Sequence, residues 1–289
     1  MALNNTYDMR PLRQETAAGT GAQLAMRPRH ETAVGAGAQL ALLALLGTAI
    51  GLGPAGWLTG LAFGVATWAA LTRALRRSWL ESFGPANRVT LARATLVGGV
   101  TALVADSFES PPPVTVLVAL TAVALILDAV DGKVARHTGS ASPLGARFDM
   151  EVDAFLILVL SVYVSMSLGP WVLLIGTMRY AFVAAARVLP WLNGALPPST
   201  ARKTVAALQG IILLVVGAGI LPVVPASGAV LVALALLMWS FGRDIRWLWR
   251  VRDGEATTEV RRSPDLSPAS DRPQTLQTPA NSMNSTQAA

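Results

Sequence analysis

Eight long apolar stretches, at roughly 37–53, 56–72, 88–106, 113–136, 145–167, 170–189, 203–222 and 226–248, leave this chain few folds to choose from. A run of about 18 or more apolar residues crosses the hydrocarbon of a bilayer as a helix. Only helices and closed barrels satisfy their backbone polar groups in that medium. Barrels require short segments of alternating polarity, and the sequence contains none. The expected fold class is therefore all-α, a polytopic transmembrane helical bundle. Charge supports this, because only 14% of the residues are charged against roughly 25% in soluble domains. The absence of cysteine removes disulfides, thiolate metal sites and cysteine nucleophiles from consideration.

Breaks between the stretches give the organisation. Gly53-Pro54 and Gly169-Pro170 turn two pairs of spans into hairpins, and Pro222 and Pro225 flank the turn before the last span. Residues 1–36 read as a disordered tail and contain a near-duplication, Arg13–Ala25 echoed at Arg29–Ala41, too short for a repeat fold. Residues 37–76 form an extra transmembrane hairpin, 85–252 a six-helix membrane domain, and the Ser/Thr/Pro-rich 253–289 a second disordered tail. The formal net charge of +6 would suggest nucleic acid in a soluble protein. Here the basic residues sort to one side. Arg10, Arg13, Arg27 and Arg29, then Arg73, Arg76, Arg77 and Arg88, then Lys133, Arg136 and Arg147, then Arg187, Arg202 and Lys203, and finally Arg243, Arg246, Arg250 and Arg252 all fall at the same face. By the positive-inside rule that face and both termini are cytoplasmic. The expected setting is a cell membrane, with membrane lipids as partners and no nucleic acid. Trp247 and Trp249 suit an interfacial belt there.

The chemistry sits on spans four and five. Asp128 and Asp131 are three residues apart and share a helix face that Ala135 continues; Gly145, Asp149 and Asp153 form a second stripe at intervals of four. The short polar link 137–144 makes the two helices antiparallel neighbours, so the stripes can face each other near one membrane surface. Carboxylates in apolar helices are costly, about 2.5–3.5 kcal/mol each at a helix centre, and crowding them adds repulsion. Divalent metal resolves this, and an all-oxygen donor set suits Mg²⁺ or Mn²⁺, with two ions expected for four carboxylates. Gly132, Ala135 and Gly145 leave room for a bulky ligand against the helices, and Arg136 can fork onto a phosphate.

The pattern D-x-x-D-G-x-x-A-R-x(8)-G-x-x-x-D-x-x-x-D, matched by Asp128, Asp131, Gly132, Ala135, Arg136, Gly145, Asp149 and Asp153, resembles the signature of the CDP-alcohol phosphotransferases, also called CDP-alcohol phosphatidyltransferases. Asn87, Thr90 and Arg93 resemble the start of that family's first core helix, and Arg202-Lys203-Thr204 the basic start of its fifth. Taken on residues alone, Asn87 and Thr90 would equally cap a helix, and Arg93 would reach the interface. The resemblance implies a six-helix core over about 85–250, often dimeric, with the hairpin outside it. It implies transfer of a substituted phosphate from a CDP-linked donor, CDP-diacylglycerol above all, to an alcohol acceptor, with release of CMP. Asp128, Asp131 and Asp149 would bind metal, with Asp153 as a further ligand or as the base. Asn87, Thr90, Gly132, Ala135, Arg136 and Gly145 would seat CDP.

Arg179, deep in span six, is expensive there without a role; with Arg187, Arg202 and Lys203 it forms a candidate pocket for an anionic acceptor such as a phosphorylated polyol. Gly98-Gly99 would let another helix approach closely. Two other functions fit less well. A membrane prenyltransferase would carry its two Asp motifs on separate helix pairs. A divalent-cation transporter would need neither the Gly/Ala stripe nor Arg136.

Overall fold

The structure, a computed structural model, describes the backbone of residues 15–77, 85–138, 143–194, 196–197 and 199–262, with side chains over 33–73, 89–130, 145–194, 196–197 and 199–252. Within these residues run eight α-helices and no strand: α1 (Glu15–Ile50), α2 (Pro54–Arg77), α3 (Pro85–Asp106), α4 (Val114–Thr138), α5 (Pro143–Leu168), α6 (Leu173–Val188), α7 (Thr200–Gly217) and α8 (Val223–Arg262). Short 3-10 turns, Pro170–Val172 and Pro190–Asn193, stand before and after α6. Seven of the helices hold a stretch long and apolar enough to cross a membrane, and α4 adds the shorter Val114–Val130. The chain is a multi-pass membrane protein. Large apolar side chains such as Val65, Ile126 and Leu231 lie exposed on its outside, as a lipid-facing surface requires.

Helix limits follow backbone chemistry. Pro54, Pro85 and Pro143 stand first in α2, α3 and α5, where an amide hydrogen would have no partner in any case. Gly219 takes a φ of 69°, a conformation that costs a side chain dearly. It stops α7 at Gly217, five residues short of the limit that hydropathy suggests. α1 differs more. It begins at Glu15, so residues 15–36, read as part of a tail, are helical. Its Ala17, Ala18, Ala22 and Ala25 are strong helix formers and need only continue a helix already nucleated.

α3 is the axis of the bundle. It packs on α1, α2, α4 and α5, and 56% of its spanning stretch is buried, against 17–39% for the others. Val97, Val100 and Leu103 of α3 meet Leu43, Leu117 and Leu160 in one core. Because lipid tails are as apolar as leucine, close packing rather than the hydrophobic effect holds such helices together. Glycines make the close approach. A methyl added at Gly60 of α2 would lie 2.5 Å from Leu43 and 3.2 Å from Ala102. One added at Gly99 would lie 2.8 Å from Leu42 of α1 and 3.4 Å from Leu120 of α4, so this glycine does admit neighbouring helices. At the far end of the hairpin the Gly53 amide donates to Asp106 Oδ1 at 2.8 Å, and Phe63 stacks on Phe155 of α5 with centroids 5.0 Å apart.

Candidate metal and phosphate site

The start of α3, the end of α4 and the start of α5 meet at one end of the bundle. Arg93, on the first turns of α3, is fully buried. Its guanidinium donates through Nη1 to Asp128 of α4, and through Nη2 to Asp149 Oδ1 at 2.5 Å and to the Asp149 carbonyl at 3.0 Å. Asp153 Oδ1 lies 3.2 Å from the same Nη2. The three carboxylates are each only 35–38% exposed. A guanidinium this deep is tolerable because its charge is met by hydrogen-bonded anions. The fork-shaped donor set of arginine lets one side chain serve acids on two helices, which a lysine could not match.

Electrostatics then ask for more positive charge. Among the described residues, three carboxylates against one guanidinium leave two negative charges for a divalent ion to offset. Oxygens of Asp128, Asp149 and Asp153 come within 4.8 Å of one another, and the ion-pair contacts to Arg93 use Oδ1 of each. Hard oxygen donors at this spacing fit Mg²⁺ or Mn²⁺. The residues present therefore suit a divalent cation.

The expected site residues fare as follows. Asp128, Asp149 and Asp153 are brought together, though around a side chain of α3 rather than across a bare α4–α5 gap. Thr90, one turn before Arg93, is buried, and Gly145 is half-buried at the start of α5. The side chains of Asn87, Asp131, Gly132, Ala135 and Arg136, and residues 139–142 of the link, lie outside the described residues. Two of the four basic residues assigned to an acceptor are engaged by different acids on different helices. Arg179 of α6 pairs with Glu151 of α5 at 2.5 Å. Arg202 of α7 pairs with Asp244 of α8 at 3.0 Å, and Arg243 joins the same carboxylate at 3.2 Å. Arg187 and Lys203 are exposed.

Three residues at these sites carry weight that the sequence did not disclose. Arg93 read as an interface-reaching side chain or a motif position; its spacing of three from Thr90 was the available signal. Glu151 sits within the acidic stripe's segment, off the stripe itself, and Arg179 lies inside another span. Opposite charges inside two apolar helices predict a pair. Asp244, an acid at the end of the last span among arginines, gave the same signal.

Compared with known proteins, residues 84–240 match the family model for CDP-alcohol phosphatidyltransferase, more than half of the chain. All three converging aspartates and Arg93 fall inside the match, whereas the α1–α2 hairpin precedes it. No curated protein and no solved structure matches the chain.

Proposed function

This chain belongs to the CDP-alcohol phosphatidyltransferase family, a transferase family that uses divalent metal, and we propose that it moves a phosphatidyl group from CDP-diacylglycerol to an alcohol acceptor, a phosphorylated polyol, with release of CMP. The observation that carries this reading is the convergence of Asp128, Asp149 and Asp153 on Arg93 within the matched residues.

Asp128, Asp131 and Asp149, with Asp153 as the further ligand, would hold two Mg²⁺ or Mn²⁺ ions, which when bound offset the negative charge of the pyrophosphate and of departing CMP. The protein's own groups do the rest. Gly132, Ala135 and Gly145 give the CDP moiety a surface free of large side chains, and Arg136, Asn87 and Thr90 hold its phosphates and base. Asp153 lies one turn further into the membrane than Asp149, on the side from which an acceptor oxygen approaches. It takes the hydroxyl proton as that oxygen bonds to the lipid-bearing phosphorus. The bond from that phosphorus to the bridging oxygen breaks, and CMP leaves with the oxygen. Arg93 fixes the Asp153 carboxylate in position, so the base loses little entropy in reaching the hydroxyl. Arg179, Arg187, Arg202 and Lys203 attract the phosphate of the acceptor. We place the site at the cytoplasmic face, where soluble CMP escapes while acyl chains stay in the bilayer, and we expect a homodimer.

The test is direct. Purified protein given CDP-diacylglycerol and a panel of glycerol 3-phosphate, inositol phosphate, inositol and serine should release CMP with one acceptor and stop on chelation. Asp153→Asn should lower turnover by about 10² or more while CDP-lipid binding stays within a few-fold. Release of inorganic pyrophosphate instead would identify a prenyltransferase, and indifference to chelator would remove the metal site.

A further inference from the structure

Acids gathered to hold a metal ion repel one another before it arrives. In this bundle a fixed cation stands among them. Arg93 reaches Asp128 through Nη1, and reaches Asp149 Oδ1 and Asp153 Oδ1 through Nη2 at 2.5 and 3.2 Å. The two parties differ in access. The guanidinium is 1% exposed, and the three carboxylates are 35–38% exposed. The acids are thus gripped from the buried side and stay open on the other. The Asp149 carbonyl also accepts from Nη2 at 3.0 Å, so Arg93 is tied to the backbone of α5 as well as to side chains. An ion that comes to these acids from the open side therefore adds to Arg93 and does not replace it.

We propose that Arg93 is a built-in competitor for the divalent ion: a positioning residue that keeps Asp128, Asp149 and Asp153 together and, by neutralising part of their charge, makes the ion exchangeable. The inference rests on the metal reading of these acids given above and not on the acceptor. The oxygens that lie within 4.8 Å of one another, close enough for one ion, belong to the same three groups that Arg93 engages. Arginine keeps its proton in proteins, and a charge this deeply buried is poorly screened. Its repulsion of a second cation is therefore relieved neither by solvent nor by loss of a proton. The sign of the effect sets this role apart. Loss of a residue that only orients metal ligands typically weakens metal binding by about 10–100-fold. Loss of a competing charge strengthens it. An exchangeable ion suits a site whose substrate phosphates bring oxygens of their own.

The experiment titrates the full-length protein in detergent with Mn²⁺, the free ion being counted by electron paramagnetic resonance. A neighbouring charge moves a carboxylate's proton equilibrium by about ten- to thousandfold, so Arg93→Leu should bind Mn²⁺ at least about tenfold more tightly than the parent. Arg93→Lys keeps the charge without the fork and should stay within about threefold of the parent. Equal or weaker binding by Arg93→Leu would overturn the proposal and leave Arg93 an orienting residue. Binding by Arg93→Lys as tight as that by Arg93→Leu would also overturn it, because the charge would then not matter. The parent offers a test that needs no variant. Mn²⁺ supplied during purification should be lost on dialysis against metal-free buffer, and its stoichiometric retention would overturn exchange. An error in the metal reading itself gives a different result, since neither the parent nor any variant would then bind Mn²⁺.

Discussion

Of the eight polar side chains buried among the described residues, Arg93 and Gln39 are buried by opposite means. Arg93 of α3 is surrounded by partners, with three carboxylates and a carbonyl from two other helices turned toward it. Gln39 of α1 is fitted between glycines of α2 and α3, with an amide donor left unmet. The first arrangement makes a charged centre whose parts hold one another in place. The second makes a fitted hole. A polar side chain is thus buried in this bundle in two forms: in a network with charge to spare for a metal, and as a single amide fitted between glycines.

The sharpest way to break the comparison is to remove Arg93. Arg93→Leu leaves three carboxylates facing one another with no internal cation. Breaking a buried ion pair costs about 3–5 kcal/mol, and because these carboxylates keep some access to solvent we expect the lower figure, about 3 kcal/mol, in detergent unfolding measurements. Millimolar Mg²⁺ should restore part of the loss in the variant and stabilise the parent less, since the variant has more negative charge for the ion to offset. A loss below about 1 kcal/mol with no response to Mg²⁺ would mean that the guanidinium and the acids are not electrostatically coupled.

The Gln39 region should respond more mildly. In Gly98→Ala the new methyl meets the amide end of Gln39, which can swing away, so we expect about 1 kcal/mol, the low end for an overpacked site. Gly176→Ala supplies the contrast. Its methyl would lie 2.6 Å from the backbone Cα of Leu158, an atom that cannot move without shifting α5 against α6. About 2–3 kcal/mol is expected there. If Gly98→Ala proves as costly as Gly176→Ala by thermal unfolding, the Gln39 side chain is rigidly held rather than free to yield.

What could be read in advance divides along the same line. The spans were legible because apolar runs of this length have one physical outcome, and Asp128, Asp149 and Asp153 were legible because helical spacing places them on stripes. Arg93 was not, since nothing in its local sequence says whether an arginine near a span's start reaches outward to headgroups or inward to acids 35 and 56 residues away. The setting of Gln39 was less visible still. Gly98 announced close packing, but which side chain would occupy the gap is decided by the register of α1 on α3, and Gln39 looks like any polar interruption in a helix. The helical character of residues 15–36 was missed because hydropathy does not register alanine-rich polar helix.

The smallest expected effect concerns Arg179, and it separates a role in the acceptor site from a role in packing. Its partner Glu151 is 58% exposed and Arg179 itself 31%, so the pair has access to solvent and is worth at most about 1 kcal/mol. Arg179→Met should therefore leave the unfolding midpoint nearly unchanged. If Arg179 attracts the acceptor's phosphate, the same substitution should raise KM for the acceptor about tenfold, the loss of one charge-assisted hydrogen bond, with kcat and CDP-lipid affinity held. Glu151→Gln gives the opposite handle. Releasing Arg179 from its carboxylate should lower the acceptor KM if the arginine is competed for, and should leave it alone if the two residues only tie α5 to α6. An unchanged KM in both variants would confine Arg179 to the seam between those helices, and would shift the acceptor's phosphate toward Arg202, Arg243 and the end of α8.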